Sequence, residues 1–457
     1  MPREIRINAF DMNCVGHIQQ GLWTHPRDQS MRYTELRYWT DYAQRLEAGL
    51  FDGIFFADVV GVYDVLGGSP DAAVRGAVQV PVNDPMLLIP AMAAVTQHLG
   101  FGVTANLTYE PPYAFARRMS TLDHLTGGRI GWNIVTGYLD SAARAVGLAG
   151  QTAHDDRYDL ADEYMALVYQ LWEGSWDDGA VLRDRERGVY ADPARVRMVH
   201  HHGKQYQVDA MHLSEPSPQR TPVLYQAGSS PRGSRFAATH AECVFLNGQS
   251  QPGVKKIVES IRGQAVEHGR AASDIQVFLG ATIVTGRTDA QAQEKFTEYQ
   301  RYASSEAALV HAAASMGIDF SKYDIDEPIE TKSNAIVSNV DAMTRSAGPQ
   351  WTRRKLLEQM VMGSRQAPWV GSAEKIADTL IAWSEEAGVD GFNLSRTVVP
   401  ECFDDFIALV VPRLQERGAY KTAYAPGTLR GKLFGRDRLP ASHPAARTAA
   451  ARTAAPR

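Results

Sequence analysis

Short apolar, β-rich runs recur along the chain, separated by stretches in which apolar residues return every three or four positions. The runs occupy residues 5–10, 53–57, 101–107, 130–135, 223–227, 243–246, 275–284 and 391–394. The clearest intervening helix follows His154, where Leu160, Tyr164, Leu167, Val168 and Leu171 share one face while Asp159, Asp162 and Glu163 take another. Eight strand candidates alternating with helices predict parallel βα repetition, and the count matches a TIM-type (β/α)8 barrel.

Three stretches exceed a minimal barrel. Residues 176–213, after the fourth strand, are polar and irregular, and residues 304–366 form a long connection between the seventh and eighth. Loops of this length are uncommon without structure of their own, so both are expected to be insertions carrying helices and short strands and to select the substrate. Residues 434–457, ending PASHPAARTAAARTAAPR, offer almost nothing to bury and read as a disordered basic tail. That leaves 1–433 as a single barrel domain.

A chain of 457 residues with 44% hydrophobic content can bury a large core. Its formal net charge of -5 gives no bulk electrostatic reason to bind nucleic acid or an anionic membrane. Three widely spaced cysteines, Cys14, Cys243 and Cys402, indicate neither a disulfide framework nor a zinc knuckle. The opening MPREIRINAF lacks the apolar stretch of a signal peptide, and no apolar run approaches membrane-spanning length. The expectation is a soluble, cytoplasmic protein.

In parallel α/β proteins, ligands gather at the carboxyl ends of the strands. Thr104 and Asn133 fall in the C-terminal parts of successive strand candidates, so a hydroxyl and a carboxamide are brought towards one site. They are expected to offer a donor and an acceptor without adding charge, although satisfying backbone groups at strand ends is the alternative use. Gly228, Ser229 and Ser230 follow another strand, with Pro231 suited to a first helical turn. Such a helix start suits a phosphate, and an ordinary serine N-cap is the alternative. His154 and Tyr158, four apart, share a helix face. Asp58 ends a strand, where contact with a ligand and anchoring of a loop are both open. His17, Trp23 and His25 lie in the loop after the first strand, with packing the better use of Trp23.

Two patterns mislead. GFGVTA (100–105) matches a dinucleotide fingerprint, but its apolar run continues to Leu107 where a helix should open. His200, His201 and His202 suggest a metal; adjacent strand residues point to opposite faces, and no acidic residue has ligand spacing, so no metal is expected. GxSxG is absent, which leaves acyl transfer without an anchor and assigns the hard chemistry to a cofactor.

Seven blocks in order, LWTHPRD (22–28), LFDGIFFAD (50–58), TLDHLTGGRIGWNIVTG (121–137), HDDRYDLADEY (154–164), PVLYQAGSSPRG (222–233), DGFNL (390–394) and VVPRLQERGAYKTAY (410–424), resemble the flavin-dependent monooxygenases of the bacterial-luciferase superfamily. The similarity is to the branch containing nitrilotriacetate monooxygenase, pristinamycin synthase and dibenzothiophene-sulfone monooxygenase. It implies reduced FMN supplied by a separate NAD(P)H:flavin reductase, and oxidation of a small organic substrate through a flavin peroxide with C–S, C–N or C–halogen cleavage. It also implies a homodimer or homotetramer. It places Asp58, Thr104 and Asn133 near the flavin ring, the latter two where oxygen reacts. Ser229, Ser230, Gly228, Tyr158 and His154 fall by the phosphate and ribityl chain. A deazaflavin-dependent oxidoreductase and a non-catalytic flavin-binding protein are the alternatives on the same fold.

Overall fold

The computed structural model describes residues 3–448 apart from 229, 249, 330–350, 361 and 363–366. Eight parallel strands close a barrel: β1 (Arg6–Met12), β2 (Gly53–Ala57), β3 (Gly100–Asn106), β4 (Ile130–Val135), β5 (Val223–Ala227), β6 (Cys243–Leu246), β7 (Gln276–Gly286) and β8 (Gly391–Ser395). Each pairs with its sequence neighbours, and β8 returns to β1. The barrel expectation holds, with helices between the strands.

Near-continuous apolar runs suit strands buried on both faces. Ile7, Ile54, Phe56, Phe101, Val103, Ile130, Trp132 and Leu224 belong to the large cluster of strands and surrounding helices. Alternate positions form a second cluster around Phe10, Phe55, Tyr225, Phe245 and Phe278, whose rings fill the barrel interior. Phe10 meets Phe245 edge-on at 5.0 Å, and Phe55 meets Tyr225 at 5.4 Å. Gly131 makes room for this filling, since a Cβ there would lie 2.5 Å from the Tyr225 ring.

Four helices position the site: α1 (Pro112–Leu125), α2 (His154–Tyr169), α3 (Pro231–His240) and α4 (Ser305–Met316). A short helix, α5 (Leu429–Phe434), contributes Leu429 and Leu433 to the interior cluster. Between them Arg430, fully buried, forks onto Glu242 at 2.7 and 3.0 Å and donates to the Thr221 and Pro222 carbonyls, each at 2.9 Å.

The segment after 433 departs from the disordered tail expected of it. Its composition is poor in large apolar groups, yet His443 and Ala445 are fully buried. His443 Nε2 donates to the His240 carbonyl at 2.9 Å, and its ring packs edge-on against Tyr169 at 5.7 Å. This ring with its matched hydrogen bond, together with Arg436 on Asp274 at 2.8 Å, anchors what average composition discounts. Residues 449–457 of that expectation lie outside the described residues.

The insertion after β4 forms two antiparallel hairpins, Val181–Asp184 with Val189–Ala191 and Val199–His202 with Gln207–Ala210. The insertion after β7 contains α4 and the helix Arg353–Met360; much of 330–366 lies outside the described residues. One element escaped the pattern: Trp369–Ser372 adds a parallel strand beside the far half of β7. No helix among the described residues is long and apolar enough to cross a membrane.

Candidate active site

Thr104 and Asn133 are register partners on β3 and β4, and both are buried. The Thr104 hydroxyl donates to the Phe56 carbonyl at 2.8 Å. A carbonyl only accepts, so this donation uses the one hydroxyl hydrogen, and Asn133 must turn its amide NH2 towards Thr104 Oγ1, 2.8 Å away. The donor expected of Thr104 is therefore already committed. What the pair presents instead is Asn133 Oδ1, a buried acceptor without a hydrogen-bond partner among the described residues. Such a group is costly unless a ligand or water satisfies it.

A second cluster assembles at the start of α3. Ser230 is its N-cap, accepting from the Gly233 N–H at 3.0 Å. His154 Nε2 lies 3.4 Å from Ser230 Oγ, and the His154 ring meets the Tyr158 ring at 5.2 Å. Cβ atoms built on Gly228 and Gly233 would lie 3.3 and 2.8 Å from the Tyr158 hydroxyl, so both glycines keep a path to that hydroxyl open. Burial pushes the Tyr158 phenol up, which keeps it a proton donor. Arg232 sits over the same ring at 5.4 Å, held by Asp159 and Asp162 at 3.1 and 2.6 Å. The cluster joins His154, Tyr158, Gly228 and Ser230; Ser229 lies outside the described residues.

Asp58 directly follows β2, two residues beyond the Phe56 carbonyl that Thr104 meets. Burial pushes its carboxyl up to about 7, aided by the charges of Asp84 and Glu110. Of the early-loop candidates, only His17 touches the barrel interior, edge-on to Phe10 at 4.7 Å. His25 packs against Tyr299 and Tyr302 and faces Glu298, while Trp23 donates to the Gly76 carbonyl. The dinucleotide pattern lies inside β3, as its sequence context implied, with no helix opening before Pro112. Burial pushes the Cys14 thiol up to about 12, which removes it as a thiolate nucleophile.

Four polar residues that sequence reasoning missed meet in the connections after the strand ends. Tyr63 donates to Gln79 Oε1, and the Tyr138 hydroxyl lies 2.9 Å from that of Tyr63. Since the one Tyr63 hydrogen goes to Gln79, Tyr138 is the donor in the second bond. The His311 ring of α4 lies 5.8 Å from the Tyr63 ring. Val78, Leu139, Val310 and Ala314 surround the group in one buried cluster. Gln79, Ala77 and Ile18 hold left-handed φ of 54, 51 and 60°, a concentration of strain typical of functional loops. Arg396 fixes the first of these loops: it pairs with buried Asp11 at 2.9 Å and donates to the Cys14 and Val15 carbonyls at 2.9 and 2.7 Å.

The family described as luciferase-like monooxygenase matches residues 15–391. The chain belongs to the luciferase-like monooxygenases. It is 51% identical to the long-chain alkane monooxygenase of Geobacillus thermodenitrificans, over 98% of each chain. It is 48% identical to the dimethyl-sulfide monooxygenase of Hyphomicrobium sulfonivorans, over 98% of this chain and 94% of that one. The crystal structure of riboflavin lyase with modified FMN and substrate riboflavin superposes with a TM-score of 0.90 at 37% identity, covering 98% of this chain and 99% of that one.

This luciferase-like monooxygenase is thus a flavin-dependent oxidoreductase, and its residues suit such a cofactor. Asn133 Oδ1 and Gln226 Oε1, on adjacent strands β4 and β5, are both buried acceptors without partners among the described residues. The glycine-lined start of α3 adds N–H groups and the positive end of a helix dipole.

Proposed function

We propose that the protein is a two-component monooxygenase: a separate NAD(P)H:flavin reductase supplies reduced FMN, and the protein oxidises a small, uncharged organic substrate with dioxygen. The observation that carries this reading is the buried, unsatisfied Asn133 acceptor on the same barrel face as the phosphate cradle at α3. Reduced FMN supplies the two electrons that divide dioxygen between substrate and water. Ser230, Tyr158, His154 and the α3 N–H groups hold its phosphate. Asn133 accepts from a ring N–H, and Thr104 keeps the Asn133 carboxamide from turning.

The apolar surround of Tyr63 and His311 receives the substrate, and α4 excludes water from it. The Tyr138–Tyr63–Gln79 chain orients any polar atom that the substrate carries. The names of the relatives above, alkane and dimethyl-sulfide monooxygenases, accord with an apolar surround, and C–S cleavage is the reaction to try first. Anaerobic mixing with reduced FMN, then stopped-flow addition of oxygen, tests the reading. We expect flavin reoxidation slower than in free solution, through a transient spectrum distinct from both flavin redox states. Reoxidation at the free-solution rate overturns it, and preferential binding of a deazaflavin would favour the hydride-transfer alternative.

A further inference from the structure

The hairpin Val199–His202/Gln207–Ala210 brings together residues that linear spacing separates. His200 and His202, two apart on a strand, share a face, and the antiparallel register sets Asp209 directly opposite His200. His200 Nδ1 lies 2.7 Å and His202 Nε2 3.3 Å from the same oxygen, Asp209 Oδ1. One ligand atom from each residue falls within 4.8 Å of the others, and all three residues are exposed.

The hydrogen-bond chain makes this arrangement informative. Gln207 Nε2 donates to the Gly203 carbonyl at 2.6 Å, which turns Gln207 Oε1 towards His202 Nδ1, 3.0 Å away. That oxygen only accepts, so Nδ1 carries a hydrogen and Nε2, which faces the Asp209 carboxylate, is the nitrogen left for a metal. Nε2 and the carboxylate oxygen stand 3.3 Å apart, about the separation of two ligand atoms held roughly 2.0–2.1 Å from one tetrahedral ion. Two imidazoles and one carboxylate form a donor set for zinc and its first-row neighbours, not for magnesium or calcium.

We propose that His200, His202 and Asp209 form a divalent transition-metal site of the zinc class, with water completing the coordination. Binding requires His200 Nδ1 to give up its hydrogen, by transfer to Nε2 or release to solvent. The bound ion clamps the two strands of the hairpin. The other face of the hairpin is tied to α2: His201 Nε2 meets Glu163 Oε1 at 3.2 Å, and Glu163 also accepts from the Tyr206 N–H at 2.8 Å. The site therefore adjoins the helix that carries His154 and Tyr158, but its occupancy does not depend on the flavin reading.

The test is calorimetric titration of zinc into the chelator-treated full chain, with cobalt absorption as an independent view of the coordination. One zinc should bind per chain, more weakly in mildly acid buffer. His202→Ala and Asp209→Asn should each weaken binding at least about tenfold, whereas His268→Ala, on another surface, should leave it unchanged. Because these side chains are solvent-exposed, the variants should fold, which circular dichroism checks. Equal zinc affinity in wild type and His202→Ala, or no binding by the wild type, overturns the proposal.

Discussion

Asn133 donates to the Thr104 hydroxyl, and Thr104 donates onward to the Phe56 carbonyl, so a chain of two 2.8 Å bonds fixes which end of the asparagine amide faces a ligand. Thr104→Val keeps the shape but strands the Asn133 amide, while the Phe56 carbonyl keeps its bond in the β2–β3 ladder. A loss of about 1–3 kcal/mol in stability follows from an unsatisfied buried group. With the Asn133 carboxamide free to turn, product formed per oxygen consumed should also fall, while Thr104→Ser retains both properties. Oxygen-electrode and product assays on the two variants decide the point; full coupling in Thr104→Val would remove Thr104 from the positioning role.

The cradle at α3 makes a separable prediction. Tyr158→Phe removes one hydroxyl and leaves the ring under Arg232. Its affinity for FMN should fall about tenfold, roughly the 1.4 kcal/mol of one good hydrogen bond to a charged group. Riboflavin, lacking the phosphate, should bind both proteins equally. A parallel loss for riboflavin, measured by fluorescence titration, would move Tyr158 away from the phosphate.

Asp58 ties stability to pH. Burial raises its carboxyl from the ordinary 3.8 to about 7, so the folded chain keeps a proton that the unfolded chain has already released. Its contribution is present in full below 3.8 and is lost as pH rises through about 7. Asp58→Asn, permanently uncharged, should therefore gain melting temperature relative to wild type between about pH 5 and about pH 8. A constant difference across that range would show that Asp58 is not protonated in the fold.

The eight barrel strands and the α2 helix were legible because each depends on local periodicity, and strands buried on both faces advertise themselves as apolar runs. The start of α3 was legible for a related reason: Ser230 followed by Pro231 is a local helix-start signal. Tyr63, Gln79, Tyr138 and His311 were not, because they come from three connections and meet only after the barrel closes. Asp209 was missed as a partner of His200 for the same reason, since strand register, not spacing, unites them. The tail failed differently: composition averages over residues, whereas docking depends on a few particular contacts, such as the His443 ring on the His240 carbonyl and Arg436 on Asp274.

Arg430 shows how the end of the chain closes the barrel. It and Glu242 are both fully buried, and the carboxylate also accepts from the Leu224 N–H at 3.1 Å. Breaking such a pair leaves an uncompensated charge, so Arg430→Met should destabilise by about 3–5 kcal/mol. Adding Glu242→Gln removes that charge while its carbonyl can still accept from Leu224. The double variant should recover part of the loss but not all of it, because the Thr221 and Pro222 carbonyls have lost the donors that Arg430 supplied. Denaturant unfolding of the single and double variants measures both quantities. A single-variant cost below about 1 kcal/mol would mean that the pair behaves as a solvated surface bridge and that water reaches the floor of the barrel.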